Sequence, residues 1–144
     1  MVGGQSREPA LSASGDAPSA RITVLVVDDE PVIRAWIAQA LGRFGIDAVL
    51  AADGRQAIRL VTDEVILPQV LLTDLEMPSM GGVELAARIH ALRPGIRIVM
   101  MTGDAGRAEA ARERSTIVAA VLDKPILMSD LVAAVRPDPE AVAP

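Results

Sequence analysis

The chain has 144 residues, of which 51% are hydrophobic and only 1% aromatic, and its formal net charge is -5. This length favours a single domain with an aliphatic core, and the lack of cysteine excludes disulfides, thiol catalysis and cysteine metal sites. The acidic balance and scattered arginines argue against nucleic-acid binding, and no apolar run is long enough to cross a membrane. We therefore expect a cytoplasmic protein that acts by contact with other proteins.

Apolar segments with the character of strands alternate with amphipathic segments along the chain, a pattern typical of a parallel α/β sheet with helices on both faces. The predicted strands are 22–27, 48–51, 70–73, 96–102 and 118–122. The predicted helices are 31–44, 54–62, 82–92, 105–114 and 128–136. The pattern predicts one domain over 21–136, a flexible N-terminal leader at 1–20 and a disordered tail at 137–144.

Polar residues stand at the ends of four of the five predicted strands. Asp28 and Asp29 follow the first strand, Asp74 the third and Lys124 the fifth, while Thr102 ends the fourth. Each of these residues alone could be a turn former or a helix cap. The carboxyl ends of parallel strands meet at one edge of the sheet, where ligands bind. Three carboxylates that converge there repel one another, and a bound cation would resolve that repulsion.

Magnesium suits this set best, because it prefers oxygen ligands and is often held by one or two carboxylates together with a phosphate. Asp28 and Asp29 would hold the ion, which leaves Asp74 to act as a nucleophile toward phosphorus. Thr102 could donate a hydrogen bond to the phosphoryl group, and Lys124 could supply a positive charge. Lys124 is the only lysine beside 13 arginines, which indicates a position that needs a compact ammonium group.

Four segments in this order resemble a receiver domain of a two-component response regulator. They read Val24-Leu25-Val26-Val27-Asp28-Asp29-Glu30, Leu71-Leu72-Thr73-Asp74-Leu75-Glu76-Met77-Pro78-Ser79-Met80-Gly81-Gly82, Val99-Met100-Met101-Thr102-Gly103 and Leu122-Asp123-Lys124-Pro125. The resemblance covers about 21–136. It implies a flavodoxin-like (βα)5 doubly wound parallel sheet with strand order 2-1-3-4-5.

The resemblance also implies roles for individual residues. Asp74 would accept a phosphoryl group from a sensor histidine kinase or a histidine phosphotransfer protein. Mg2+ would be held by Asp28, Asp29, Asp74 and the main-chain carbonyl of Glu76. Thr102 and Lys124 would bind the phosphoryl group and act as the switch.

As a member of such a family, the protein would not be an enzyme that acts on separate substrates. It would catalyse only its own phosphorylation and dephosphorylation. We expect a stand-alone response regulator that signals to a downstream protein through its fourth helix, fifth strand and fifth helix. The same face could form a homodimer.

Two positions, Val121 and Glu76, need separate comment within the receiver pattern. Val121 stands where receivers usually carry an aromatic ring that moves with the threonine, and valine has one stiff torsion and no ring. Either the output then depends on the loop after Thr102 and the fourth helix, or the domain is a phosphoryl shuttle or phosphate sink in a relay. Glu76, two residues after Asp74, is a candidate for tuning the lifetime of the phosphoryl group, in either direction.

A haloacid dehalogenase-type aspartyl-phosphate phosphatase is a more remote alternative. It is suggested by Asp74 after a strand with an acid two positions later. However, that acid is Glu76 where an aspartate is expected, and the acid pair precedes the nucleophile instead of following it. The sequence also lacks a segment that could form a substrate cap.

Overall fold

The computed structural model describes residues 21–136, apart from the side chain of Arg114. Strands and helices alternate within this range. The strands are β1 (Thr23–Val27), β2 (Asp47–Ala51), β3 (Val70–Asp74), β4 (Arg97–Thr102) and β5 (Val118–Asp123). The helices are α1 (Pro31–Gly42), α2 (Gly54–Thr62), α3 (Gly82–Leu92), α4 (Ala105–Arg114) and α5 (Met128–Val135). The predicted leader at 1–20 and the predicted tail at 137–144 lie outside the described residues.

The strands form one parallel sheet in the order β2-β1-β3-β4-β5, which confirms the predicted fold and strand order. Strand β1 lies between β2 and β3, so that Val24 is level with Ala48 on one side and with Val70 on the other. All strands run in the same direction. Their carboxyl ends therefore form one edge of the sheet, and the predicted site residues lie along it.

Both faces of the sheet are covered, and the side chains of β1 show how. Leu25 and Val27 pack with buried residues of α2, α3 and α4, whereas Val24 and Val26 pack with buried residues of α1 and α5. Successive strand residues point to opposite faces, so a strand buried on both sides reads as a continuous apolar run. This arrangement explains why the apolar segments of the sequence predict the strands so directly.

Helices α2 and α4 begin at aspartates that cap them. The backbone N–H of Gln56 donates to the Asp53 carboxylate at 2.8 Å, and that of Arg107 donates to the Asp104 carboxylate at 3.0 Å. Each cap satisfies a backbone donor that the first helical turn leaves unpaired. Both aspartates follow a strand by a few residues, so the two caps fix where the chain leaves the carboxyl edge of the sheet.

Helix α1 differs from its prediction in two respects. It begins at Pro31 as predicted but ends at Gly42, two residues earlier than expected, before a turn in which Gly45 has a φ of 73°. Val32 and Trp36 are among the apolar residues at helical spacing in this segment, which favours their burial, but they are 78% and 38% exposed. Among the helices within residues 21–136, none is long and apolar enough to span a membrane.

Candidate functional site

The ends of β1, β3 and β5 bring four of the predicted residues together. One carboxylate oxygen from each of Asp28, Asp29 and Asp74 lies within 4.8 Å of the other two. The Nζ atom of Lys124 lies 3.3 Å from Asp28 Oδ2 and 3.4 Å from Asp74 Oδ2. Asp28 is 0% exposed and Asp74 is 4% exposed, whereas Asp29 is open to solvent. We call Asp28, Asp29, Asp74, Lys124 and Thr102 the rim.

The backbone around the two buried carboxylates fixes their positions. The N–H of Glu30 donates to Asp28 Oδ1 at 2.8 Å, and the N–H of Glu76 donates to Asp74 Oδ1 at 3.2 Å. Arg34 of α1 donates a hydrogen bond to the main-chain oxygen of Asp28 at 2.6 Å, a contact that no sequence pattern predicts. One oxygen of each carboxylate is thus held by the backbone, and the other faces Lys124.

The loop after β3 passes close to the start of α3. A Cβ atom on Gly82 would lie 2.5 Å from the Asp74 carbonyl oxygen and 2.9 Å from the Cα atom of Leu75. Real Cβ atoms do not approach backbone atoms so closely, so this position requires glycine. The Gly81-Gly82 pair in the sequence is therefore a signal for the close packing that holds Asp74 in place.

The charges of the rim act on one another. Burial raises the pKa of Asp74, and the Asp28 carboxylate raises it further, while the nearby Lys124 ammonium opposes both. Burial lowers the pKa of Lys124, but the carboxylates of Asp28 and Asp74 outweigh it, and the net pKa is raised. Lys124 therefore remains charged at neutral pH and partly compensates two buried acids.

The arrangement fits a small, hard cation such as Mg2+. Its donors are carboxylate oxygens, the ligands that Mg2+ prefers, and one lysine cannot balance three carboxylates. Among residues 21–136, no donor forms a hydrogen bond with the main-chain carbonyl of Glu76, so this predicted ligand still has an available oxygen. Both the chemistry and the charge of the site agree with the predicted ligand set.

Thr102, at the end of β4, is 0% exposed. Its hydroxyl donates to Glu76 Oε2 at 2.6 Å and accepts a hydrogen bond from the backbone N–H of Asp104 at 3.0 Å. The sequence predicts both Thr102 and Glu76 as site residues, but it does not predict this bond between them. The bond depends on the path of the loop after β3, where Ser79 adopts a φ of 71°.

Val121 lies behind the rim, in the core. It is 7% exposed and belongs to the same cluster as Met100, Ala108 and Ala111. Its main-chain oxygen accepts a hydrogen bond from Arg112 Nη2 at 3.0 Å, a contact that the sequence does not predict. The position that usually carries a ring is thus packed among small and aliphatic side chains.

Comparison with known proteins gives a consistent result. A family model described as the response regulator receiver domain matches residues 24–136. The crystal structure of a response regulator receiver protein from Pseudomonas putida is similar, with a TM-score of 0.71 and 34% identity over 82% of this chain and 98% of that one.

Two curated relatives match this chain over only part of their own length. Sporulation initiation phosphotransferase F of Bacillus subtilis is 34% identical over 79 residues, which are 55% of this chain and 62% of that protein. Sensor histidine kinase RcsC of Salmonella typhi is 32% identical over 108 residues, which are 75% of this chain but only 11% of that protein. The chain thus spans less than two-thirds of these relatives.

Proposed function

The chain belongs to the response regulator receiver domain family, and we propose that Asp74 is its phosphoryl acceptor in a two-component phosphorelay. The observation that carries this proposal is the buried Asp74 carboxylate, which lies 3.4 Å from Lys124 within a cluster of acids suited to Mg2+. A structural ion pair would need one carboxylate beside the lysine, whereas here two carboxylates face Lys124 and a third lies within their cluster. A phosphoryl-transfer site needs such a cluster of charged groups, because positioning and charge neutralisation supply most of its catalysis.

The transfer step follows from these positions. A carboxylate oxygen of Asp74 attacks the phosphorus of a phosphohistidine on a sensor kinase or a phosphotransfer protein. A new P–O bond forms the acyl phosphate, the P–N bond breaks, and the released imidazole takes up a proton. Lys124 offsets negative charge on the phosphoryl group throughout, and Thr102 can donate a hydrogen bond to one of its oxygens.

Mg2+, held by Asp28, Asp29, Asp74 and the main-chain carbonyl of Glu76, would neutralise charge on the phosphoryl oxygens. The acyl phosphate is later hydrolysed when water attacks phosphorus, which releases inorganic phosphate and restores the Asp74 carboxylate. The protein promotes these two reactions on itself and acts on no separate substrate. Glu76 follows Asp74 by two residues, and its carboxylate bonds to Thr102 of the rim. We propose that Glu76 tunes the phosphoryl lifetime; equal lifetimes in the native protein and Glu76→Gln would refute this.

An apolar surface beside the rim supports a protein phosphodonor. Val32 and Trp36 of α1 are 78% and 38% exposed, and Leu127, shortly after Lys124, is 62% exposed. A small cavity of about 190 Å³ lies between α1 and the segment after β5, and Lys124 itself lines it. Exposed apolar surface of this kind marks contact sites for proteins. A donor bound there would lie next to Asp74.

Incubation with acetyl phosphate, with and without Mg2+, tests the acceptor by intact mass. The native protein should gain one phosphoryl group only with Mg2+, and Asp74→Ala should gain none. A native protein that gains nothing, or an Asp74→Ala variant that still gains a group, would overturn the proposal. Steady turnover of a free phosphoester would instead support the phosphatase alternative.

The docking surface has its own test. Trp36→Asp should slow phosphorylation by any sensor kinase that phosphorylates the native protein, but it should leave phosphorylation by acetyl phosphate unchanged. Val65→Asp is a matched control, since Val65 is 65% exposed but follows α2, apart from this surface. Equal effects of the two substitutions would show that the surface around Trp36 does not bind the donor.

We further propose that residues 21–136 act in the cytoplasm as a single-domain regulator. It would contact a downstream protein, or a second copy of itself, through α4, β5 and α5. The main alternative is a phosphoryl shuttle or phosphate sink, favoured by the missing ring at Val121 and by the likeness to a sporulation phosphotransferase. Return of the phosphoryl group from Asp74 to a histidine phosphotransfer protein would identify the shuttle.

A further inference from the structure

The hydroxyl of Thr102 has only one proton to donate, and in this structure that proton goes to Glu76. The Oγ1 to Oε2 distance is 2.6 Å, short for a hydrogen bond and typical of one with a charged acceptor. Thr102 is fully buried and Glu76 is half-buried. The bond is therefore partly shielded from water, which strengthens it relative to a fully exposed one.

We propose that Glu76 is a positioning residue that holds the Thr102 hydroxyl in the resting arrangement and competes with the phosphoryl group for it. The inference rests on the proposed function, because the competitor is the phosphoryl group on Asp74. A threonine hydroxyl can donate one hydrogen bond at a time. Thr102 must therefore release Glu76 before it can donate to a phosphoryl oxygen.

The same hydroxyl is connected to helix α4. Its oxygen accepts from the backbone N–H of Asp104, and the Asp104 side chain caps α4 by accepting from the N–H of Arg107. A change in the direction of the Thr102 hydroxyl thus changes the bonding of the residue that begins α4. Release of Glu76 gives phosphorylation a path to α4 that does not need a ring at Val121.

A second effect of Glu76 has to be separated from this competition. Its carboxylate would also repel a phosphoryl group by charge alone, whether or not it binds Thr102. Glu76→Asp separates the two effects, because it keeps the negative charge but shortens the side chain by one methylene. Glu76→Gln does the reverse, since its amide oxygen can still accept from Thr102 but carries no charge.

Binding of beryllofluoride with Mg2+, which mimics a phosphoryl group on a carboxylate, measures the competition. Loss of one hydrogen bond predicts that Glu76→Asp binds beryllofluoride about three- to tenfold more tightly than the native protein. Glu84→Asp, on the exposed side of α3 where Glu84 pairs with Arg88, is the matched control and should not change the affinity. An unchanged affinity in Glu76→Asp would overturn the inference.

The hydrogen bond between Thr102 and Glu76 can also be tested without a phosphoryl mimic. Three-bond NMR couplings report the χ1 angle of Thr102 in the resting protein, which should change in Glu76→Asp and stay the same in Glu76→Gln. In a Thr102→Val background, Glu76→Asp should no longer alter beryllofluoride affinity. If it still does, the effect comes from the changed position of the carboxylate and not from its hydrogen bond with Thr102, and the inference is wrong.

These readings separate two kinds of failure. If the native protein does not bind beryllofluoride, the proposed function fails and the competition fails with it, even when the couplings show the bond. If it binds but the Thr102 χ1 angle is the same in the native protein and Glu76→Asp, only the inference about Glu76 fails.

Discussion

The rim and the α4–β5 edge are neighbouring regions that are built differently. The α4–β5 edge comprises α4 (Ala105–Arg114) and β5 (Val118–Asp123). Each of the buried rim residues, and Lys124 as well, has two polar partners within the site. At the α4–β5 edge the buried side chains are small or aliphatic, namely Ala108, Ala111 and Val121. Strand β5 also has a neighbour on one side only.

This difference matches what the two regions have to do. Phosphoryl transfer needs charges held in fixed positions, since small displacements of reacting groups cost much of the rate. An output surface has to change shape, and a region with few polar constraints rearranges more easily. The regions adjoin at the end of β5, where Asp123 of the edge is followed by Lys124 of the rim, whose backbone N–H donates to the carbonyl of Thr102 at 2.8 Å. We expect substitutions to affect chemistry at the rim and shape at the edge.

The largest expected effect comes from Gly82→Ala, which would disturb the backbone that supports the rim. Its Cβ would meet the Asp74 carbonyl at 2.5 Å, and backbone atoms cannot give way as a flexible side chain can. We expect the free energy of unfolding, measured in urea, to fall by about 2–3 kcal/mol.

Gly42→Ala is the control for this substitution. A Cβ there has no neighbour within 4 Å, so the variant should gain up to about 1 kcal/mol from its better helix propensity. Equal unfolding free energies for the two variants would show that the rim is less tightly built than its contacts indicate.

Lys124→Arg tests whether the rim needs a compact charge. Lys124 lies between two buried carboxylates and its side chain is 23% exposed, so a larger, planar guanidinium does not fit the same place. We expect beryllofluoride affinity to fall about tenfold, close to 1.4 kcal/mol, with a change in unfolding free energy below about 1 kcal/mol. Arg107→Lys on α4, which makes the opposite exchange of side chains, is the control. A tenfold loss of beryllofluoride affinity in Arg107→Lys as well would remove the contrast between the two regions.

Asp74→Asn tests the repulsion within the rim. Because burial and Asp28 raise the pKa of Asp74, the folded protein holds its proton more tightly than the unfolded chain, and ionisation of Asp74 costs stability. The cost is absent below the ordinary pKa of 3.8 and appears as the pH rises through the folded pKa. Asn should therefore stabilise the fold by about 1 kcal/mol at pH 7 and by less in acid. An Asp74→Asn variant that is less stable than the native protein at pH 7 would contradict this prediction. Added Mg2+ should reduce the difference in unfolding free energy between the two proteins.

The sequence predicted which residues gather at the rim better than it predicted the bonds between them. The bounds of α2, α3 and α4 agree with the prediction, because apolar spacing and capping residues determine them locally. The exposure of Val32 and Trp36 was missed, since periodicity finds an apolar stripe but not what covers it. The bond between Thr102 and Glu76 was missed as well, because it joins two residues 26 positions apart, and Glu76 lies in a loop whose path no local pattern encodes.

The smallest expected effect concerns the α4–β5 edge itself. Arg112 Nη2 donates to the Val121 carbonyl at 3.0 Å, the one described side-chain bond between α4 and β5. Arg112→Gln should lower the free energy of unfolding by about 0.5–1 kcal/mol and speed hydrogen exchange of β5 amides, with beryllofluoride affinity unchanged. Arg107→Gln controls for the loss of a positive charge on α4. Arg107 is exposed, and its ion pair with Asp104 is long, at 3.9 Å, and contributes little to stability. If Arg112→Gln weakened beryllofluoride binding as much as Lys124→Arg, the edge would be part of the phosphoryl site, and the separation of chemistry from shape would fail.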